Sequence, residues 1–119
     1  MLQHELLQAI KERRSIRRFQ EKAVEPEKLQ ELFEAVRWAP SWGNSQCWEI
    51  VVIEDKADKD GLVDLLTPKN PATRAISQAP VVLGICGQKH KAGYYNGERK
   101  TKFEDWLMYD RGLTTQNLC

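Results

Sequence analysis

The sequence lacks any apolar run near the length of a membrane span, and charged residues interrupt the apolar ones at its N-terminus. A signal peptide needs an unbroken apolar stretch followed by small residues at a cleavage site, and MLQHELLQAIKERR has neither. These absences predict a cytoplasmic protein with no membrane contact. The 119 residues, 41% of them hydrophobic and 29% charged, suit a single globular domain with a real core.

Cysteine and histidine are scarce. Cys47, Cys86 and Cys119 form an odd set without a C-x-x-C pair, which argues against a disulfide framework and against a structural metal site. Cys86 lies in an apparent core strand and is expected to be an inert buried thiol, whereas Cys47 lies in a loop with no obvious base beside it. Because His4 and His90 are far apart, the sequence predicts no catalytic nucleophile and no metal ligands.

Glycine-rich phosphate motifs are also missing, since neither G-x-G-x-x-G nor a Walker pattern occurs. The formal net charge of only +1 argues against broad nucleic-acid binding, so any anion site must be local. Cations concentrate in ERRSIRRF, residues 12–19. In an extended stretch, Arg13, Ser15 and Arg17 face one side, and two guanidinium groups flanking a hydroxyl form a good phosphate grip. Composition alone also allows two other interpretations, a solvated helix end, which it favours, and a nuclear-localisation or nucleic-acid segment.

Apolar spacing predicts two helices in the first third of the chain. Leu6, Leu7 and Ile10 repeat with helical spacing after Leu2, and this helix is expected to end near residues 11–14, where cations suit the negative end of its dipole. After a loop over residues 15–25, Pro26 suits a helix start. The stripe of the second helix has i, i+3, i+4, i+7 spacing and consists of Leu29, Leu32, Phe33 and Val36.

The rest of the chain alternates between strands and helices. EIVVIE, residues 49–54, predicts a strand, and residues 55–66 predict a helix weakened by Gly61. PVVLGIC, residues 80–86, predicts a strand buried on both faces, and residues 87–102 predict a polar loop or mobile flap. A helix is expected from Phe103 and runs to QNLC without a glycine cap or a proline, as though cut within an element.

The loop APSWGNSQCW, residues 39–48, combines proline, glycine, amide side chains and two tryptophans between a helix and a strand. Proline and glycine fix an unusual backbone, amides supply paired donors and acceptors, and indoles supply flat apolar surface. Such a loop suits a planar heteroaromatic ring. A turn with core tryptophans explains the same composition equally well.

Three segments in order resemble the nitroreductase family of FMN-dependent oxidoreductases. They are RRSIRRF after the first helix, APSWGNSQCWEIVVI after the second, and DWLMYDRGLTTQNL, which is similar to the long central helix of the family. The resemblance runs from Glu5 to Cys119. It implies an α+β nitroreductase-like fold, with a central, mainly antiparallel sheet wrapped by helices in an intertwined homodimer, and FMN bound without a covalent bond at the dimer interface.

The resemblance also implies which residues bind the cofactor. The residues that match the family's motif for the FMN phosphate and ribityl end are Arg13, Arg14, Ser15 and Arg17. The residues that match the segment near the isoalloxazine ring, which in the family usually comes from the other subunit, are Pro40, Ser41, Trp42 and Asn44. Gln46 and Trp48 are expected to brace the second segment. Asn70 and Arg74 lie where the family often places polar flavin contacts, although their local match is poor.

The implied function is transfer of reducing equivalents from NADH or NADPH to a nitroaromatic, quinone or similar planar acceptor by a ping-pong mechanism. No side chain is predicted to act as an acid or base. In the family the chain continues well past QNLC, and Cys47 stands where proline is frequent. Residues 1–119 are therefore expected to be a single truncated domain, incomplete at its C-terminus. The alternatives are a non-catalytic FMN-binding or dimerising fragment, an anion-binding domain that uses the arginines, and a remnant that binds nothing.

Overall fold

The computed structural model describes the backbone of residues 2–119 and the side chains of residues 5–119, so the side chain of His4 lies outside the described residues. The chain order of the elements is α1 (Leu2–Glu12), α2 (Pro26–Arg37), a short 3-10 turn (Trp42–Asn44), β1 (Trp48–Ile53), α3 (Lys56–Asp64), α4 (Thr73–Gln78), β2 (Val82–Gly87), β3 (Tyr94–Tyr95), β4 (Glu98–Arg99) and α5 (Leu107–Leu118). The fold is therefore α+β, as expected.

Helix α2 forms as its pattern predicts. Pro26 occupies the first turn, where its missing N–H costs nothing and its fixed φ is already helical. The apolar stripe faces inward, and Val36 at its end is buried. The backbone N–H of Trp38 donates to the carbonyl oxygen of Glu34, and that of Ala39 donates to the carbonyl oxygen of Val36, which closes the helix.

Strands β1 and β2 pair antiparallel, with Trp48 opposite Gly87 and Ile53 opposite Val82. The strand β2 was expected to be buried on both faces, and that prediction is wrong, because most of its residues are half-buried and Cys86 is exposed. The reason is that α5 packs against this two-stranded sheet while other positions, including Val51 and Val52 of β1, face solvent.

The polar segment 87–102 is more ordered than a mobile flap, because β3 and β4 form a small antiparallel hairpin. The hydroxyl of Tyr94 donates to the carbonyl oxygen of Glu104 over 2.9 Å and ties this hairpin to the start of α5. Helix α5 begins at Leu107, four residues later than its spacing predicts. Asp105 explains the late start, since its carboxylate accepts from the backbone N–H of Leu107 at 2.9 Å and of His90 at 2.8 Å.

The core is small and lies where α5 crosses α2 and the β1–β2 sheet. The buried residues in the described part of the chain are mostly small, and two of them are polar: Val36, Ala39, Cys47, Ala79, Ala92, Gly93, Asp110 and Thr114. Among the residues described, no helix is both long and apolar enough to cross a bilayer.

Candidate functional site

The arginine segment follows α1 as an irregular stretch, and every residue from 13 to 20 is exposed. Arg14 has a structural task, since its Nη1 donates to the carbonyl oxygen of Lys11 at 2.6 Å and to that of Arg13 at 2.8 Å. The Lys11 carbonyl belongs to the last turn of α1 and the Arg13 carbonyl directly follows the helix, where no further turn can satisfy either of them. Arg14 therefore serves the helix end, which was one of the alternatives for the whole cluster.

The neighbouring arginines have no such task. Among the side chains described, no carboxylate lies within 4.0 Å of Arg13, Arg17 or Arg18, although five lysine or arginine ion pairs occur elsewhere. Ser15 lies exposed between them. A guanidinium group without a carboxylate partner keeps its N–H donors for another ligand, and phosphate is a ligand that such groups bind well. This segment fits a phosphate.

The second segment is a tight loop with an unusual backbone. Gly43, Asn44 and Gln46 have φ values of 53°, 51° and 48°, in the left-handed region that costs a non-glycine residue roughly 1–2 kcal/mol. The hydroxyl of Ser41 accepts from the backbone N–H of Gln46 at 3.1 Å, and the carbonyl oxygen of Ser41 accepts from that of Asn44 at 3.1 Å. No atom would lie within 4 Å of a Cβ added at Gly43, so the tip of the loop faces open space.

The tryptophans near this loop are not core residues. Trp42 and Trp48 are half-buried, and Trp38 is 78% exposed with its indole N–H donating to Glu34. Trp38 and Trp48 line a cavity of about 290 Å³ together with Arg37 and Gln46. The indole surfaces around the loop therefore remain available to a ligand or to another chain.

Asp110 anchors the loop from inside, and the sequence pattern did not identify this residue as part of the site. Its side chain is fully buried, and Oδ1 accepts from the backbone N–H of Trp42 at 3.0 Å. Oδ2 lies 3.4 Å from Ser45 Oγ and 3.7 Å from Cys47 Sγ, which both donate to it. A buried carboxylate costs several kcal/mol unless donors surround it, and here the loop supplies them. The one available signal was the helical spacing of this aspartate with the apolar Leu107.

The prediction that Cys86 is a buried thiol is wrong, and the buried thiol is that of Cys47. Cys86 was expected to be buried and is exposed, whereas Cys47 in the loop is only 1% exposed. Burial, and then the negative charge of Asp110, raise the pKa of the Cys47 thiol. Cys47 therefore lies beside a carboxylate, but as a neutral thiol that donates to it and not as an activated nucleophile.

The arginine segment and the loop line different cavities. Arg13 lines a groove of about 330 Å³ with residues at the end of α5, including Asn117, whereas the loop packs on Asp110 near its start. Seven residues of helix separate those contacts, which is roughly 10 Å along the axis. Asn70 and Arg74 stay apart from the loop: Asn70 Oδ1 accepts from the Ala72 N–H at 2.9 Å, and Arg74 is exposed.

The nitroreductase family model matches residues 10–78, which include the arginine segment, the loop and β1. This match covers more than half of the chain. The chain belongs to the nitroreductase family. Membership agrees with the resemblance carried by the motifs, and solved structures confirm the α+β nitroreductase fold.

Three similar proteins illustrate the match. The FMN reductase [NAD(P)H] of Bacillus subtilis is 32% identical over 89 residues, which are 75% of this chain and 34% of that protein. A Clostridium novyi nitroreductase family structure has a TM-score of 0.79 at 21% identity and covers 94% of this chain and 60% of its own; it supports the fold alone. A Desulfovibrio desulfuricans structure described as a nitroreductase in complex with FMN has a TM-score of 0.71 at 29% identity, covering 95% and 59%.

This nitroreductase-family chain is much shorter than its relatives. It spans between 30% and 41% of the length of the four curated proteins that it matches. What those proteins bind and catalyse is therefore carried over only as a proposal.

Proposed function

We propose that the chain binds FMN and acts as an oxidoreductase that passes reducing equivalents from NADH or NADPH to a small planar acceptor. The observation that carries this proposal is the set of exposed arginines without carboxylate partners around Ser15, inside the part of the chain that matches the family. Arg13, Ser15 and Arg17 would hold the phosphate. Arg14, besides capping α1, presents remaining N–H groups to the same ligand.

The loop would contact the flavin ring. Pro40, Ser41, Trp42 and Asn44 surround an open tip with a fixed left-handed backbone, which lets main-chain groups approach a flat ligand closely. A rigid loop loses little conformational entropy on binding, which favours affinity. Gln46 and Trp48 would support the loop on the side away from the ring. The backbone N–H of Gln46 donates to Ser41, and Trp48 lines the adjacent cavity.

A homodimer would bring the two halves of this site together. Within one chain Arg13 lies near the end of α5 and the loop lies near its start, so the loop of a partner would supply the ring contacts to the same ligand. The accessible surface supports association. It measures 9412 Å², whereas a compact monomer of 13.8 kDa exposes about 6,600 Å².

Bound FMN would supply the chemistry for hydride transfer between NAD(P)H and the acceptor. The residues of this chain then bind, orient and shield. The arginines fix one end of the cofactor by charge, and the loop sets the face on which both substrates must bind in turn. A ping-pong pattern with nitroaromatic or quinone acceptors is expected from one shared face. No side chain is proposed to transfer a proton.

A second candidate is a binding or dimerising module without turnover. The small core and the large exposed surface favour this candidate. Turnover needs a site that excludes water around the substrate, and such a site needs more surrounding protein than this chain provides. The two candidates share FMN binding and differ in whether the bound flavin is reduced and reoxidised.

The test is retention of flavin. Purified protein is mixed with FMN, desalted, and examined for flavin absorbance that elutes with the protein; NADH and then a quinone are added without oxygen. Retained flavin that is bleached by NADH and restored by the quinone supports the oxidoreductase. Retained flavin that NADH does not bleach supports the binding module, and colourless protein after desalting contradicts both.

A further inference from the structure

The buried carboxylate of Asp110 is the feature of α5 that the proposed function does not yet use. It lies fully inside the protein, yet its partners come from the loop, 63 to 68 residues earlier in the chain. Asp110 occupies the fourth position of α5, close to the positive end of the helix dipole, which favours a negative charge there. The carboxylate is thus stabilised from its own helix and from the loop.

The contacts of Asp110 bracket the strained part of the loop. Trp42 donates its backbone N–H just before the left-handed Gly43 and Asn44, and the side chains of Ser45 and Cys47 donate on either side of the left-handed Gln46. Unfavourable backbone conformations persist only where their surroundings hold them. Hydrogen bonds within the loop join Ser41 to Asn44 and Gln46, and Trp42 to Ser45, whereas Asp110 joins the loop to a helix.

We propose that Asp110 is a positioning residue for flavin binding, which sets the height and tilt of the Trp42–Asn44 turn against the isoalloxazine ring. This inference rests on the proposed function, since it gives the loop a ligand. The carboxylate touches neither substrate nor cofactor and acts only through the loop. Removing its charge should therefore weaken contacts to the ring and leave contacts to the phosphate unchanged.

The difference between riboflavin and FMN separates these two sets of contacts, because riboflavin has the ring without the phosphate. Asp110→Asn keeps the size of the side chain and removes its charge, and Asp64→Asn, an exposed aspartate at the end of α3, is the matched control. For Asp110→Asn, the dissociation constants of FMN and riboflavin should both rise by about tenfold, as for one charge-assisted hydrogen bond. The absorbance band of saturated flavin should also shift toward that of free flavin.

A second readout needs no flavin. Amide hydrogen exchange of the unliganded protein should show the Trp42 N–H exchanging at least about tenfold faster in Asp110→Asn, while amides of β1 and β2 keep their rates. Should Asp110→Asn fail to fold, Ser45→Ala removes one donor and leaves the carboxylate. It should give the same changes on a smaller scale.

The outcomes are distinct. Equal losses of FMN and riboflavin affinity with local exchange at Trp42 support the inference. The inference is overturned if the wild type binds flavin and Asp110→Asn is less stable but has unchanged flavin affinities and an unchanged flavin spectrum. Asp110 would then be a structural link only. Absence of flavin binding in the wild type overturns the proposed function itself, and with it any flavin-positioning role of Asp110.

Discussion

At the scale of single residues, Arg17 offers the cleanest test of the phosphate grip, because it is exposed, has no carboxylate partner among the described side chains and supports no helix end. We expect Arg17→Ala to weaken FMN binding by about 10- to 100-fold, the range for loss of a hydrogen bond to a charged group. Riboflavin affinity should not change, since riboflavin lacks the phosphate. Titration of flavin fluorescence measures both affinities.

Arg99→Ala is the control for Arg17→Ala, since Arg99 is also exposed but lies in the hairpin strand β4. It should leave both affinities at wild-type values. If Arg17→Ala lowers the affinities for riboflavin and FMN by the same factor, or changes neither affinity, the proposed phosphate contact of this arginine is wrong.

Cys47 gives a pH prediction at the same scale. Burial, then Asp110, hold the pKa of its thiol above the ordinary value, so above that value the unfolded chain loses this proton more readily than the folded chain. The contribution of Cys47 to stability is therefore complete at lower pH and declines as the pH rises past about 8.5. The free energy of unfolding should fall with pH by up to about 1.4 kcal/mol per unit for this one proton.

Cys47→Ser isolates that effect, because serine keeps a donor toward Asp110 and does not ionise in this range. Urea unfolding between about pH 7 and 10, a range that brackets the ordinary thiol pKa, should show a shallower decline for Cys47→Ser than for the wild type. Parallel curves would mean that the thiol titrates alike in the folded and unfolded chain.

At the scale of elements, local pattern predicts helices and strands well where local forces decide them. The apolar stripe of α2 and Pro26 at its start predict that helix, and the observed helix begins at Pro26 and ends at Arg37. The start of α5 could not be predicted in this way, because Phe103 and Trp106 fit the helical spacing while Asp105 binds the backbone of His90 and begins the helix at Leu107. The link between Asp110 and Trp42 is also tertiary, so spacing along the chain contains no trace of it.

The hairpin and α5 depend on a close approach at Gly93, where φ is +86° and an added Cβ would lie 2.5 Å from Cδ1 of Trp106. Gly93→Ala should destabilise the protein by about 2–4 kcal/mol, combining the cost of a left-handed alanine with a displaced indole. Gly97→Ala is matched, since φ is +77° but nothing lies within 4 Å. It should cost only about 1–2 kcal/mol in urea unfolding, and equal losses would contradict the packing argument.

At the scale of the whole molecule, the chain exposes more surface than a compact monomer of its size does. Its radius of gyration is 16.6 Å, against about 13.5 Å for a compact domain of this length. Helix α1 shows the reason most clearly, since Leu6, Leu7 and Ile10 are all at least 50% exposed and the helix makes few contacts with other elements. An isolated helix of 11 residues is marginal in water, so α1 needs a surface to pack on.

A second copy of the chain supplies that surface in the proposed dimer. The surface in excess of a compact monomer is about 2,800 Å² per chain, so a dimer that covered all of it would bury about 5,600 Å² in total, at the upper end of the range for obligate interfaces. Leu6→Glu places a charge on the exposed apolar face of α1, so it should convert dimer to monomer in sedimentation equilibrium and raise the dissociation constant by at least about tenfold, because burying a charge in an apolar interface is costly. Gln30→Glu adds the same charge at an exposed position of α2 and should leave the dimer intact.

Flavin retention should follow the dimer and fall with dilution, since the proposed site joins the arginine segment and the loop only across two chains. A wild-type chain that stays monomeric at all concentrations and still retains FMN would show that one chain closes the site by itself.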